Sequence, residues 1–319
     1  MLKPAPLVSI VLPTFNRLHY LSAAVDSVFA QTFEDWELIV ADDGSEAATR
    51  SYLHTFESHP RVRVLWLAHS GNPPAVRNVA LREARGDYIA FLDSDDVWAP
   101  RKLQLQVATL RANPARAWSY TGFTLIDAAG QPLTGARARR CPPIEGEFLA
   151  PLIKGEPLIV QSSVVARRDL IQKAGGYDEE LSVCGDYALW LKLAQWSEIG
   201  LIEEPLVLVR RHREHYSDDI AGLEDLRRMF GKMQVAEGGA EANHLLQARR
   251  AKVGADLAKA QARRHERARV FKTLSASASR SWRYPVWWRG ALAAMVLAFV
   301  PSQIVRVGKL AFGVRFSQR

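Results

Sequence analysis

Cysteine is scarce in this chain: only Cys141 and Cys184 occur in 319 residues. Their spacing is not that of a metal-ligand pair, and so few thiols exclude a disulfide-stapled scaffold and favour a reducing compartment. Long apolar runs are also missing. The longest uncharged stretch, 290–305, is sixteen residues interrupted by Pro301. As a helix it would span ~24 Å at the standard rise, short of the ~30 Å hydrocarbon core. A leader is not expected either: Lys3 precedes the apolar residues 7–12, but Pro13 follows at once and no small-residue cleavage site appears. That segment reads as a first strand, and the cytosolic side is the expected location. Acidic residues run out towards the C-terminus. Residues 220–319 hold 19 Lys/Arg against 6 Asp/Glu, whereas 1–219 hold 23 against 28, so the net charge of +8 belongs to the tail. Such asymmetry points to an anionic partner.

With 48% hydrophobic and 24% charged residues the chain can bury a real core, as one large domain with an appendage or as two domains. Its organising stretch is residues 88–96, Tyr-Ile-Ala-Phe-Leu-Asp-Ser-Asp-Asp. An apolar segment too short for a helix runs straight into Asp93, Asp95 and Asp96, with Gly86 before it and Pro100 after it. This is the pattern of a buried strand with charge at its carboxyl end, where open α/β sheets bind ligands. Three adjacent acids raise one another's pKa unless a cation neutralises them, and oxygen ligands suit magnesium or manganese. Taken alone, the same run also fits a solvated acidic turn.

The segments around it supply context. Residues 8–12 predict a strand ending in Pro13-Thr14-Phe15-Asn16-Arg17, and Leu21, Ala24, Val25 and Val28 have helical spacing. A second strand, 36–41, empties into Asp42-Asp43-Gly44-Ser45. A helix at 46–57, a strand at 62–67, the turn-rich 69–74 and a helix at 75–85 with Arg77 in its first turn follow. Repeated strand–helix units ending in carboxylates predict a parallel sheet. Beyond Pro100 the pattern predicts a helix up to Pro114, strands at 118–126 and 161–166, a loop at 131–146 and a helix at 167–174. An apolar helix opened by Asp186 follows, with Trp190 and Trp196 read as core, then an edge strand or pair at 199–209 broken by Pro205. Asp42 also fits a turn residue and Asp186 a helix cap.

In order and spacing, SIVLPTFNR, the AQTF helix end, WELIVADDGS and AVRNVALREARGDYIAFLDSDD together resemble glycosyltransferase family 2, over about two-thirds of the chain. The resemblance implies an inverting transferase with a glycosyltransferase A-type fold, an α/β class with a mostly parallel, doubly wound sheet. It implies a nucleotide-diphospho-sugar donor, UDP-linked by expectation, and a divalent metal, manganese or magnesium. Residue by residue, Pro13, Phe15 (where Tyr is usual) and Asn16 match the nucleoside loop, Asp43 with neighbouring Asp42 the acid at the base or ribose, and Arg77 the diphosphate contact. Asp93, Asp95 and Asp96 match the Asp-x-Asp region, with Asp95 towards donor and metal and Asp96 the direct metal ligand. Asp186 matches the acceptor-side base, and His212 a histidine near diphosphate and metal. Ala47, Ala80 and Gly185 depart from residues common in the family (Asp, Gly and Glu).

The expected division is a catalytic domain at 1–219, with a nucleotide-sugar half at about 1–100 and an acceptor half at about 101–219, and a basic helical region at 220–319. Trp282, Trp287 and Trp288 beside arginines suit an interfacial, monotopic anchor on the inner face of the cell membrane. A helical hairpin packed on protein, in a homo-oligomer or on the catalytic domain, is the other reading. The uncharged tail stretch lacks the interleaved aromatics of a nucleic-acid groove, so no nucleic acid is expected. The acceptor is expected to be a glycan or lipid-linked sugar hydroxyl; transfer to a polyprenyl phosphate would need no base, and a non-catalytic sugar-nucleotide scaffold would need no Asp186.

Overall fold

In the computed structural model, residues 5–133, 144–156, 159–211, 219–235 and 240–299 are described. The chain divides into two compact units, Met1–Tyr216 and Ser217–Arg319. Unit 1 begins with β1 (Val8–Thr14), α1 (Leu18–Phe29), β2 (Trp36–Asp42), α2 (Ala47–His54), β3 (Val62–Trp66), α3 (Pro73–Glu83) and β4 (Tyr88–Phe91). It continues with β5 (Val97–Trp98), α4 (Lys102–Ala112), β6 (Arg116–Ile126) and α5 (Leu149–Lys154). A 3-10 turn at Gln161–Ser163, β7 (Val165–Arg167), α6 (Arg168–Lys173), α7 (Gly185–Leu193) and β8 (Glu198–Arg210) complete it.

The eight strands form one sheet in the order β3-β2-β1-β4-β7-β6-β8-β5. β1 pairs in parallel with both β2 and β4. Its residues Val8, Ile10, Val11 and Leu12 are fully buried, the near-continuous apolar run expected of a strand covered on both faces. The winding reverses between β1 and β4, so their carboxyl ends flank the crevice where such sheets take ligands.

Beyond β4 the sheet is mixed, and here periodicity misled. The serines predicted to lie in a strand at 161–166 form the 3-10 turn instead: Ser163 Oγ donates to Val160 O at 2.7 Å, a local bond that competes with strand pairing. The strand expected to break at Pro205 is continuous, because its irregularity is absorbed as a bulge. Thr121 pairs with Ile202, but Gly122 pairs with Pro205, which has no N–H to donate. A Cβ on Gly122 would meet Glu203 O at 2.6 Å. Gly122→Ala is therefore expected to destabilise unit 1 by about 1–3 kcal/mol, read as a lower denaturant midpoint.

Trp190 is core, stacked on Trp118 at 5.8 Å, but Trp196 just past α7 is 56% exposed, with Lys173 Nζ 3.9 Å over its ring. Lys102 is fully buried, and burial pushes its amine well below the usual lysine range. Its Nζ donates to Gln106 Oε1 at 2.6 Å, and the Gln106 amide reaches Ser119 O and Ser163 O, tying α4 to β6 and the 3-10 turn.

Unit 2 contains α8 (Asp219–Lys232), α9 (Ala240–Arg263), α10 (Arg267–Ser281) and α11 (Pro285–Phe299). Small residues bring α9 and α11 together: Ala251, Ala255, Ala258 and Ala262 share a core with Ala291, Ala294 and Ala298. At Gly290 an added Cβ would lie 2.5 Å from Ala255 Cβ. Among the described residues no helix is long and apolar enough to cross a membrane.

Candidate active site

A cavity of about 310 Å³ opens at the carboxyl ends of the first strands, walled by Pro13, Phe15, Asp43, Arg77, Asp93 and Asp95 among others. Asn72 caps α3 by accepting from Ala75 N at 3.2 Å, which sets Arg77 in the early turns of that helix. Arg77 Nη2 donates to Asp93 Oδ1 at 2.6 Å. Burial works against the Arg77 charge, but Asp93, with Tyr177 and Asp186, more than offsets it, so its proton affinity is raised. Two buried polar atoms of cavity residues, Arg77 Nε and Thr14 Oγ1, have no hydrogen-bond partner among the described residues. Buried polar groups are ordinarily paired, so both atoms lack a partner that the described residues do not supply.

Asp43 holds the opposite wall. Its Oδ1 accepts from Ser70 N at 2.8 Å and Ser70 Oγ at 2.9 Å, and its Oδ2 from Gly71 N at 3.0 Å. His69 Nδ1 lies 3.1 Å from the same carboxylate, and its ring stacks on Phe15 with centroids 4.0 Å apart. His69 was missed in the sequence, although it follows β3 just as the acids follow β2 and β4. Asn16, at φ 52°, accepts from Glu46 N at 2.7 Å, and Asp42 accepts from Ser45 N at 3.2 Å, so both brace the loops beside the cavity.

The acidic run after β4 splits in direction. Asp93 and Asp95 line the cavity, but Asp96, expected as the direct metal ligand, is turned inward and 4% exposed. Its Oδ2 accepts from Ser162 Oγ at 2.6 Å and its Oδ1 from Arg210 N at 3.0 Å. Burial, then Asp95 and Asp93, push its carboxyl well above the usual range. Ser162 is the hub of this arrangement, because its Oγ also accepts from Asp93 N at 3.0 Å. Ser162→Ala strips a bond from each of two acids; about 1–3 kcal/mol of stability is expected to be lost, measured by denaturation.

The donor set fits a hard divalent cation. It is all oxygen, and its crowded negative charge is what such an ion relieves. No group of three acid, His or Cys side chains among the described residues is placed to hold a metal ion. His212 lies outside the described residues.

Asp186 sits in the first turn of α7 and accepts from Tyr187 N at 2.6 Å. Burial raises its carboxyl to about 6; Arg77 pulls it down and Asp93 pushes it up, so it lies within electrostatic reach of the cavity. It does not itself line the wall. The glycine before it has a packing reason: a Cβ on Gly185 would meet Pro74 Cγ at 2.9 Å.

Residues 9–124 match the model of the family described as glycosyl transferase family 2. The chain is 42% identical over 121 residues to the UDP-Glc:alpha-D-GlcNAc-diphosphoundecaprenol beta-1,3-glucosyltransferase WfgD of Escherichia coli, covering 38% of this chain and 47% of that protein. Across curated relatives it matches, the chain spans from 17% to 65% of their length. Its fold is similar to that of residues 1–349 of TarS from S. aureus in complex with UDP-GlcNAc, with TM-score 0.64 and 16% identity over 92% of this chain and 93% of that one. It is also similar to the mannosyltransferase PcManGT from Pyrobaculum calidifontis in complex with GDP-Man and Mn2+, with TM-score 0.57 and 18% identity over 98% and 88%. The fold is thus that of the glycosyltransferase A type.

Proposed function

Residues 9–124 belong to glycosyl transferase family 2, and from that premise we propose that the chain transfers a sugar from a nucleoside-diphospho-sugar to an acceptor hydroxyl, with inversion, in cell-surface glycan synthesis. The observation that carries this reading is the convergence of Asp43, Arg77, Asp93 and Asp95 on one cavity at the point where the sheet winding reverses. Phe15 and His69 offer a stacked face for a nucleobase, with Asp43 beside it. Arg77 meets the diphosphate. Asp186 takes the proton from the acceptor hydroxyl while that oxygen bonds to the anomeric carbon and the carbon–phosphate oxygen bond breaks. One base suffices, because inversion needs no covalent intermediate.

A divalent cation would be held by Asp95 together with the donor's phosphates, where it would neutralise charge building on the departing diphosphate. A UDP-sugar and a lipid-linked acceptor are favoured, because WfgD is named for UDP-Glc and a diphosphoundecaprenol-linked sugar and TarS is seen with UDP-GlcNAc. Unit 2 would rest on the inner face of the membrane. Trp288, Leu292, Val296 and Phe299 form an exposed apolar stripe on α11, whose fifteen residues would span only ~22 Å.

Calorimetric titration of UDP, GDP and dTDP, with and without manganese, tests the donor site. UDP is expected to bind in a manganese-dependent manner, and Asp95→Asn to lose that dependence. Were no nucleotide to bind, the transferase reading would fail. Loss of the manganese effect in Asp96→Asn alone would move the ion to Asp96.

A further inference from the structure

Unit 2 contains a second cavity, about 420 Å³, between α8, α9 and α10. That volume falls in the range of ~300–1,000 Å³ usual for small-ligand sites. Arg227, Arg250, Arg269, Lys272 and Arg280 line it, against the single acid Glu224. Two of these cations are occupied. Arg250 caps α8 by donating to Phe230 O at 2.7 Å and Met233 O at 2.8 Å. Arg269 pairs with Glu266 at 3.0 Å and Glu224 at 3.5 Å. Arg227, Lys272 and Arg280 form no ion pair among the described residues.

The crowding is built in. Arg269, Lys272, Ala276 and Arg280 follow helical spacing on α10, so its cations share the face that borders the cavity. α9 and α10 approach closely beside them, with a Cβ on Gly254 lying 3.1 Å from Ser277 Cβ. Burial and then the charge of Arg280 depress the proton affinity of Arg250. Like charges gathered around a concave space raise the free energy of the folded unit until an anion enters, and guanidinium forks match tetrahedral oxyanions.

We propose that this cavity is a binding site for a phosphate-bearing anion, with Lys272 and Arg280 as its principal contacts. The site stands on unit 2 alone and is independent of donor binding in unit 1. The phosphate can come from an anionic lipid headgroup or from a soluble phosphate compound.

Calorimetry of the full chain with inorganic pyrophosphate tests the site, and parallel titration with UDP reports on the donor cavity. In Lys272→Gln/Arg280→Gln, pyrophosphate affinity at this site is expected to fall by about tenfold or more, and UDP binding to stay unchanged. Arg77→Gln is expected to keep the pyrophosphate site, which separates it from the donor cavity. Lys272→Arg/Arg280→Lys, with charge retained, is expected to bind as wild type does, and ligand-free melting of each variant no lower than that of wild type shows that the fold persists. Equal pyrophosphate binding in wild type and the glutamine variant, or none in wild type, would overturn the proposal. Flotation with phosphatidylglycerol and phosphatidylcholine vesicles then identifies the source. Loss of phosphatidylglycerol binding in the glutamine variant assigns a lipid headgroup; retained vesicle binding with lost pyrophosphate binding assigns a soluble phosphate.

Discussion

Asp186→Asn is expected to lower kcat for sugar transfer by ~10²–10⁴, the usual contribution of a positioned general base, with UDP affinity unchanged. The amide keeps the shape of the side chain and can still accept the hydrogen bond from Tyr187 N, so a folding defect is not the expected cause. The wild-type chain carries its own control. Burial raises the Asp186 carboxyl to about 6. Below that pH it holds a proton and cannot accept another; above it the carboxylate is ionised and the rate levels off. On the acid side kcat/KM should therefore fall tenfold per pH unit below about 6, a limb absent from the asparagine variant. Transfer surviving in Asp186→Asn to within about tenfold of wild type would mean that no base is needed there. An acceptor that is already ionised, such as a polyprenyl phosphate, would then replace the hydroxyl acceptor.

The first half of unit 1 was legible because each element obeys a local rule. Short apolar runs bounded by turn residues mark β1 to β4, and the acids that follow β2 and β4 mark the ligand end of the sheet. What local rules do not carry is direction. Asp93, Asp95 and Asp96 look equivalent in sequence, yet Asp96 turns inward because Ser162, 66 residues later, and the backbone of Arg210, 114 residues later, supply its donors. Asn16 and Asp42, matched to the donor site by resemblance, also bond within and between loops, to Glu46 N and Ser45 N, which motif position alone does not report. Trp196 was read as core from its place in the apolar run after Asp186, but it falls past the end of α7, where, among the described residues, only the Lys173 side chain is seen over its ring and more than half of it stays exposed. The Gly122–Pro205 bulge depends on pairing between strands some eighty residues apart, which no periodicity reports.

Arg77→Gln is expected to reduce kcat/KM by ~10²–10³, the scale for losing one preorganised group that stabilises transition-state charge. A structural role alone could also lower activity, because the change leaves Asp93, 30% exposed, without its 2.6 Å partner. The pH profile separates the two explanations. Arg77 draws the Asp186 carboxyl down and Asp93 pushes it up. Removing the cation should move the acid limb of kcat/KM above about 6, and removing the like charge in Asp93→Asn should move it below. In the double variant the two shifts should largely cancel, although adjacent groups need not add strictly. General loosening of the cavity would shift both single variants the same way. Opposite shifts require that Arg77, Asp93 and Asp186 share one electrostatic field, so that the group receiving the diphosphate also sets the proton affinity of the base. If both limbs stay near 6 while activity falls, Asp186 is not the titrating group and the base must be sought elsewhere in unit 1.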